Sequence, residues 1–163
     1  MLPQAGHCAE LSRAENLLRE WLSDLPPNSG VAVLRDSNRV SLRFSTGLIF
    51  EPDSTTLKSD AGKSIPLSAA VRLLKRRRAL SAQILVYTDN IGGDSANQSF
   101  SAARAKALGT WFTSQGIPAP RLRPRGVGTD DALSSNATPE GRSENRRVEI
   151  AFATVRAGPA KSP

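Results

Sequence analysis

The chain has 163 residues, the size of one domain with room for a short appended element. Hydrophobic residues make up 39% and charged residues 23%, a balance that allows a buried core and excludes global disorder. The net charge of +7 predicts attraction to an anionic partner, such as nucleic acid, membrane headgroups or an acidic wall polymer. A single cysteine excludes an internal disulfide framework, and a single histidine argues against a histidine-rich metal site.

The N-terminal part of the chain predicts a helix and then a hairpin. Residues 9–25 carry apolar side chains at the i, i+3, i+4 and i+7 spacing of a helix with one apolar face. The prolines and glycine of residues 26–30 end it, so we expect residues 1–30 to form an N-terminal helix and linker. Two short β-rich runs follow at 31–34 and 40–44, and a polar turn joins them into a hairpin.

Helices and strands then alternate along the middle of the chain. Apolar spacing predicts a helix over 61–80 that starts at Asp60, and a β-rich run predicts a buried strand over 83–88. A second long helix is expected over 97–115, where Gly116 supplies the stop signal. Neither helix is apolar over the roughly 18 residues that a membrane span needs, so no span is predicted.

The C-terminal third predicts two more strands. One covers 122–127, and Pro124 within it indicates an edge strand. Residues 128–145 have a loop composition, and 147–152 alternate apolar and polar side chains as a strand does. The whole order predicts an α+β fold with helices packed on one face of a mixed sheet. We expect residues 154–163 to form a flexible tail.

Catalytic motifs are missing from the sequence. It contains no GxSxG, no phosphate-binding glycine loop, no HExxH and no CxxC. The lone His7 lies close to the N-terminus, which a catalytic Ser–His or Cys–His pair would have to recruit. The sequence therefore disfavours an enzyme, and it predicts neither a cofactor nor a metal ion. Cys8 is either an ordinary unpaired cysteine or a lipid anchor; His7, which stands where a lipidation motif has a small residue, favours the unpaired cysteine.

An acidic and a basic residue stand out around the second long helix. Asp89 lies where the buried strand gives way to a loop, and Arg104 lies in the second predicted turn of the helix that follows. A strand–loop–helix unit folds back on itself, so the two side chains could flank one pocket. Such a pair suits a zwitterion, because the carboxylate accepts an ammonium and the guanidinium binds a carboxylate. The alternative is a salt bridge between Asp89 and Arg104 that serves only the structure.

The residues around this pair form several spaced motifs. Gly116-Ile117 follows the helix, Gly126-Val127-Gly128 comes next, and residues 136–149 run Asn-Ala-Thr-Pro-Glu-Gly-Arg-Ser-Glu-Asn-Arg-Arg-Val-Glu. Upstream of these motifs, residues 50–57 form a loop with the sequence Phe-Glu-Pro-Asp-Ser-Thr-Thr-Leu. The first motif consists of Thr88, Asp89, Gly92, Asn97, Ser101, Arg104 and Ala105. Together, over about residues 40–152, they resemble the OmpA-like peptidoglycan-binding domain of outer-membrane proteins, peptidoglycan-associated lipoproteins and flagellar stator proteins.

This resemblance implies an OmpA-like β-α-β-α-β-β domain over residues 31–153, with an extra N-terminal helix and hairpin. It implies noncovalent binding of peptidoglycan at the diaminopimelate of the stem peptide. Asp89 would hold the side-chain ammonium of diaminopimelate and Arg104 its carboxylate. The other implied site residues are those of the flanking loops: Thr88, Asn97, Phe50, Arg146 and Arg147. Which of the two arginines faces the ligand stays open, and Val86-Tyr87 and Phe100 depart from the family's usual Gly-His and Leu.

The resemblance also implies a place and partners for the protein. The expected location is the periplasm, in association with the outer membrane, with any export or anchor segment outside this sequence. Peptidoglycan is the expected partner, with envelope proteins and a second copy of the chain as further ones. Nucleic acid is disfavoured because aromatic residues are only 5% of the chain. The alternative is a degenerate member of the fold that acts as a basic protein–protein interaction module.

Two groups of basic residues leave several interpretations open. Residues 75–78, Lys-Arg-Arg-Arg, end the first long predicted helix. They either complement the negative end of the helix dipole or contact anionic glycan-peptide, lipid headgroups or a partner protein. Arg121, Arg123 and Arg125 alternate along a predicted strand and are expected to form a solvated stripe on one face.

Overall fold

The computed structural model describes residues 5–155, which form a five-stranded sheet and four helices. The sheet order is β1-β2-β5-β3-β4; only β3 and β4 pair in parallel, and the other neighbours are antiparallel. This confirms the predicted α+β class and the edge position of the strand that contains Pro124. The elements are α1 Ala5–Trp21, β1 Ala32–Arg35, β2 Val40–Ser45, α2 Ile65–Arg76, β3 Leu80–Tyr87, α3 Asp94–Ser114, β4 Leu122–Gly128, α4 Pro139–Asn145 and β5 Arg147–Thr154.

The core lies between the helices and one face of the sheet. Side chains of β2, β3 and β5 alternate, so one set faces the helices and is buried there. Phe44, Ile84 and Phe152 belong to this set and are at most 1% exposed. The opposite face carries a small cluster of Leu85, Tyr87 and Val127. The helices therefore pack on one face, as the sequence predicted.

The N-terminal helix shares this core. Leu11, Ala14 and Leu18 of α1 are fully buried in the same apolar cluster as the sheet. In the second turn of α1, Glu10 accepts two hydrogen bonds from Arg77, one of them 2.7 Å long between Nε and Oε1. The predicted boundary at residue 30, between the N-terminal helix with its linker and the following domain, stays a prediction. The helix α1 nevertheless packs on that domain. Of the predicted tail, residues 154–163, the structure describes only Thr154, which ends β5, and Val155. The rest of the predicted tail lies outside the described residues.

Several elements differ from the sequence prediction. The first helix covers Ala5–Trp21 instead of 9–25, and β3 begins at Leu80 instead of residue 83. The helix expected over 61–80 is a 3-10 turn at Ala61–Lys63 followed by α2, whose N-cap is Ser64 and not Asp60. Pro66 explains the late start, because proline fits the first turn of a helix and not its interior. The segment 128–145, expected to be a loop, contains α4, and α3 begins three residues earlier than predicted, directly after Gly93.

Arg121 does not belong to a solvated strand stripe. It lies in the 3-10 turn before β4, and its guanidinium donates hydrogen bonds to the carbonyls of Leu74, Arg77 and Leu80. These carbonyls lie at and beyond the C-terminal end of α2, where backbone acceptors lack helical partners. Arg121 therefore caps the C-terminal end of α2, although it lies more than 40 residues further along the chain. Arg123 and Arg125, in contrast, are exposed on β4 as expected.

The ion pair between Glu10 and Arg77 predicts a pH-dependent contribution of α1 to stability. The hydrogen bond from Arg77 lowers the pKa of Glu10, and burial opposes this shift only in part. Because the folded-state pKa is depressed, this contribution is present above the ordinary pKa of 4.5 and is lost as pH falls through the folded-state pKa. Glu10→Gln should lower the free energy of unfolding by about 1 kcal/mol at neutral pH.

Urea unfolding of the wild type and of Glu10→Gln at neutral and acidic pH measures this difference, which should vanish in acid. Glu20→Gln is the matched control, because Glu20 is exposed on the same helix and makes no ion pair among residues 5–155. Equal stability of the two variants at neutral pH would contradict the prediction.

Candidate functional site

A cavity of about 510 Å³ opens at the carboxyl end of β3. Its walls are the loop that follows β2, the end of β3, the first turns of α3 and Arg146. Asp89 and Arg104 both line it, together with Phe50, Thr88 and Asn97. The structure thus brings six of the seven residues that the resemblance implied to one place. Arg147 is the exception.

Arg104 is the most constrained side chain of this cavity. It is 6% exposed, and its guanidinium contacts two phenyl rings, 4.7 Å from the centroid of Phe50 and 4.3 Å from that of Phe100. Its Nε donates a 2.8 Å hydrogen bond to the Ser54 carbonyl. The guanidinium has five N–H groups, and the other four make no hydrogen bond within residues 5–155. They are therefore free for an acceptor in the cavity.

The charge on Arg104 has no direct counter-ion within the described part of the chain. Burial lowers the pKa of its guanidinium, and the Asp53 carboxylate opposes this shift from a distance. Arginine nevertheless stays protonated, because its pKa lies far above neutrality. A buried cation without an ion-pair partner is costly, and an anionic group that enters the cavity would relieve this cost.

Asp89 is held in place by other contacts than Arg104. Its Oδ1 accepts a hydrogen bond from the Ile91 amide, and its Oδ2 lies 2.6 Å from Nη1 of Arg146. The alternative of a salt bridge between Asp89 and Arg104 is therefore not what the structure shows. A carboxylate accepts about four hydrogen bonds, so Asp89 retains capacity for a donor in the cavity. Arg146, whose side chain is 44% exposed, lies over the rim.

Two polar residues shape the loop between Asp89 and α3. Asn97 donates a 2.8 Å hydrogen bond to the Ile91 carbonyl and so holds the loop against the helix. The Thr88 amide bonds the Gly128 carbonyl, but the buried Thr88 hydroxyl has no partner within residues 5–155. Since buried hydroxyls are nearly always paired, this group is a second unsatisfied site in the cavity wall.

The two adjacent arginines face opposite sides of the sheet. Val148 of β5 points into the helix-covered core, so Arg147 must point to the other face. There its guanidinium stacks 3.6 Å from the Tyr87 centroid and bonds Glu149 and the Asp131 carbonyl. Arg146 precedes the strand and reaches Asp89. The structure thus places Arg146 at the cavity and Arg147 away from it.

Close packing of α3 on β4 fixes the position of Arg104. A Cβ at Gly126 would lie 2.1 Å from the Ala102 amide nitrogen, which excludes any side chain there. Two residues further along the strand, Gly128 has a φ of +66°, and its amide donates a hydrogen bond to the Ser101 hydroxyl. Both glycines of the Gly-x-Gly motif therefore serve the contact between helix and strand.

The motif at residues 136–149 builds the opposite wall. Thr138 caps α4 by accepting from the Gly141 amide. The fully buried Asn145 accepts hydrogen bonds from the amides of Leu133 and Ser134 and donates to the Ser134 carbonyl and to Asn136. This network pins the loop before α4 and positions Arg146, the next residue. The sequence motif predicted that the Asn145-Arg146-Arg147 corner borders the groove, but it did not predict the hydrogen bonds of Asn145, which depend on the tertiary fold.

Comparison with known proteins agrees with this geometry. The sequence pattern of the OmpA family matches residues 49–146, a segment that contains the whole cavity except for the end of β2 and its turn. The chain belongs to the OmpA family. Among curated relatives, a protein named probable lipoprotein YiaD from Escherichia coli is 32% identical over 134 residues, which are 82% of this chain and 60% of that protein.

Two further matches extend the comparison. Peptidoglycan-binding protein ArfA of Mycobacterium tuberculosis is 44% identical over 64 residues, which are 39% of this chain and 20% of ArfA. The solved structure of the cell wall anchor of the T6SS from Pseudomonas aeruginosa superposes with a TM-score of 0.73 at 22% identity. It covers 85% of this chain and 97% of that one, and at this identity the likeness shows the fold alone. The chain spans 60% of the Escherichia coli relative and a fifth of ArfA.

Metal and membrane features are not found in the described residues. Over residues 5–155, no group of three or more His, Cys, Asp or Glu side chains is placed to hold a metal ion. Within the same range, none of the helices is long and apolar enough to cross a membrane.

The network around Asn145 predicts a large stability effect. Asn145→Ala removes four hydrogen bonds of a fully buried side chain and deprives backbone groups of residues 133 and 134 of their partner. We expect a loss of about 2–4 kcal/mol in the free energy of unfolding, measured by urea denaturation. Asn38→Ala in the exposed turn between β1 and β2 is the control and should change stability by less than about 0.5 kcal/mol. Similar values for the two variants would show that the network contributes little.

Proposed function

We propose that this chain binds peptidoglycan noncovalently and without catalysis, by gripping the diaminopimelate of the stem peptide between Asp89 and Arg104. In this way it anchors an outer-membrane or envelope assembly to the cell wall from the periplasm. The observation that carries the proposal is the buried Arg104 guanidinium, whose four free N–H groups line a cavity that also contains the Asp89 carboxylate. Membership of the OmpA family and the names of the wall-binding relatives support it.

The ligand chemistry follows from the charges of the cavity. The side chain of diaminopimelate ends in a carbon that carries one ammonium and one carboxylate. Arg104 would bind the carboxylate through charge-assisted hydrogen bonds. Asp89 would accept the ammonium at the positions left free by Ile91 and Arg146. In this proposal Thr88 and Asn97 orient the loop beside the peptide backbone, and the Asn97 hydrogen bond to the Ile91 carbonyl keeps the loop in position.

Phe50 and Phe100 have a positioning role in this proposal. The Arg104 guanidinium lies within 4.7 Å of both ring centroids, so the two rings restrict the directions from which a ligand can reach it. A planar cation held in this way can approach a carboxylate edge-on, which is the geometry of paired hydrogen bonds. Phe100, which departs from the family's usual leucine, therefore supports the proposed contact instead of blocking it.

The expected strength is modest. Charge-assisted hydrogen bonds contribute about 1.5–3 kcal/mol each, and association entropy offsets part of this. A single site is therefore expected to bind with a dissociation constant in the micromolar range at best. A wall polymer presents many copies of the ligand, so a tethered protein would still hold the wall.

A sedimentation assay with purified sacculi tests the proposal. Asp89→Asn and Arg104→Gln each remove one charged contact and should weaken binding to diaminopimelate-type peptidoglycan about tenfold or more. Asp60→Asn and Arg123→Gln make the same changes of charge at exposed positions and should bind like the wild type. Free diaminopimelate should compete with sacculi for the wild type.

Peptidoglycan in which lysine replaces diaminopimelate separates the two contacts. Lysine lacks the side-chain carboxylate, so the wild type should prefer diaminopimelate-type sacculi and Arg104→Gln should lose that preference. Equal sedimentation of the wild type and both site variants would refute the proposed pocket. Loss of binding by all proteins with added salt, controls included, would indicate unspecific charge attraction instead.

A further inference from the structure

A second concave surface lies between α2 and α3, separate from the proposed peptidoglycan site. This groove has a volume of about 520 Å³. It is lined by Gly62, by five residues of α2, and by Trp111 and Gln115 of α3. None of these residues lines the cavity of Asp89 and Arg104. We call it the α2/α3 groove.

Three cations line one side of the α2/α3 groove. Arg72, Lys75 and Arg76 lie three and four positions apart on α2, so their side chains share one face of the helix. Within residues 5–155, none of the three makes an ion pair or a side-chain hydrogen bond. Only Arg72 has a cation–π partner, since its guanidinium lies 4.2 Å from the Trp21 ring centroid. No acidic residue lines the groove.

Other residues already satisfy the carbonyl groups at the C-terminal end of α2, so these three cations are not needed there. The carbonyls of Leu74 and Arg77 already accept hydrogen bonds from Arg121. Arg77 itself is paired with Glu10. A purely structural role in neutralising the helix end is thus filled by other residues, which leaves the exposed cations free to attract an anionic ligand.

The floor of the α2/α3 groove is apolar. Trp111 is half-buried, and its ring edge rests on Gly62, where a Cβ would lie 3.3 Å from Cζ2 of the indole. Val71 lies beside it. Within the described residues the indole N–H donates no hydrogen bond. The groove therefore combines an apolar surface and one free donor with a cationic rim.

We propose that the α2/α3 groove docks an acidic peptide segment of a protein partner. Carboxylates of this segment pair with Arg72, Lys75 and Arg76, and one of its apolar side chains packs on Trp111 and Val71. A flat bilayer would reach the exposed cations but not the half-buried indole below them. A lone phosphate would leave the apolar floor empty. A peptide with both kinds of side chain uses the whole surface.

A pair of synthetic peptides tests this proposal on the whole chain. The probe has glutamates around a central leucine, and its counterpart has glutamines in place of the glutamates. NMR follows the indole N–H resonance of Trp111, which Trp111→Phe assigns against Trp21, the other tryptophan of the chain. The acidic probe should shift this resonance on titration, and the glutamine counterpart should leave it unchanged.

Charge reversals locate the binding surface. Arg76→Glu in the groove should weaken the acidic probe about fivefold to tenfold, since an attraction becomes a repulsion. Arg78→Glu makes the same change at an exposed residue outside the groove and should alter affinity less than twofold. Asp89→Asn should bind the probe like the wild type, so failure of the peptidoglycan proposal would not affect this result.

Three results would overturn the proposal. Equal losses in Arg76→Glu and Arg78→Glu would indicate general charge attraction. Binding of the glutamine counterpart as tightly as the probe would remove the role of the cations. The third result uses vesicles of phosphatidylglycerol and phosphatidylethanolamine. If Arg76→Glu weakens binding to these vesicles and Arg78→Glu does not, while the acidic probe fails to bind the wild type, the surface binds lipid headgroups instead.

Discussion

The site depends on one buried charge. Arg104 is removed from water without an ion-pair partner in the described chain, and two phenyl rings and one carbonyl replace only part of its hydration. Such an arrangement is costly for folding unless the rest of the structure enforces it. Its persistence is understandable if the remaining N–H groups meet an anionic ligand, because a desolvated cation binds such a group more strongly than a hydrated one.

Backbone packing supplies the enforcement. Gly126 lets β4 approach α3 so closely that no side chain fits between them, and this fixes the helix that carries Arg104. On the other side, the Phe50–Leu57 bridge holds the loop whose Ser54 carbonyl receives the Arg104 Nε. The position of the guanidinium is thus determined by a glycine and by backbone groups, none of which carries charge.

The sequence predicted what depends on local periodicity and composition. The strands and α3 were predictable because their apolar faces meet one large core and alternate with the period of each element. The face of Arg147 was predictable as well, since the apolar side chains at 148, 150 and 152 share the opposite side of β5. The true start of α2 and the existence of α4 were not. A seven-residue helix is stabilised by Thr138, Gly141 and Asn145 through contacts that periodicity does not encode.

Contacts between distant residues lay beyond the sequence altogether. Asp89 and Arg146 are 57 positions apart, and no pattern in the residues around either one predicts the ion pair between them. The same holds for Arg121, which alternation assigned to a strand and which caps α2 instead. In both cases a long arginine side chain reaches a carbonyl or carboxylate of another element, and only the tertiary fold defines that distance.

The excess positive charge of the chain is divided between two different environments. Arg104 is buried and directional, whereas the cations of the α2/α3 groove are exposed and screened by salt. Arg104 and Trp111 are seven positions apart on α3, about 10 Å along the axis and nearly in line. The loop that bonds Arg104 through Ser54 also packs on Trp111 through Gly62, so it separates the two concave surfaces. The two surfaces share no lining residue, so the two proposals place a wall ligand and a protein partner on different parts of the same domain.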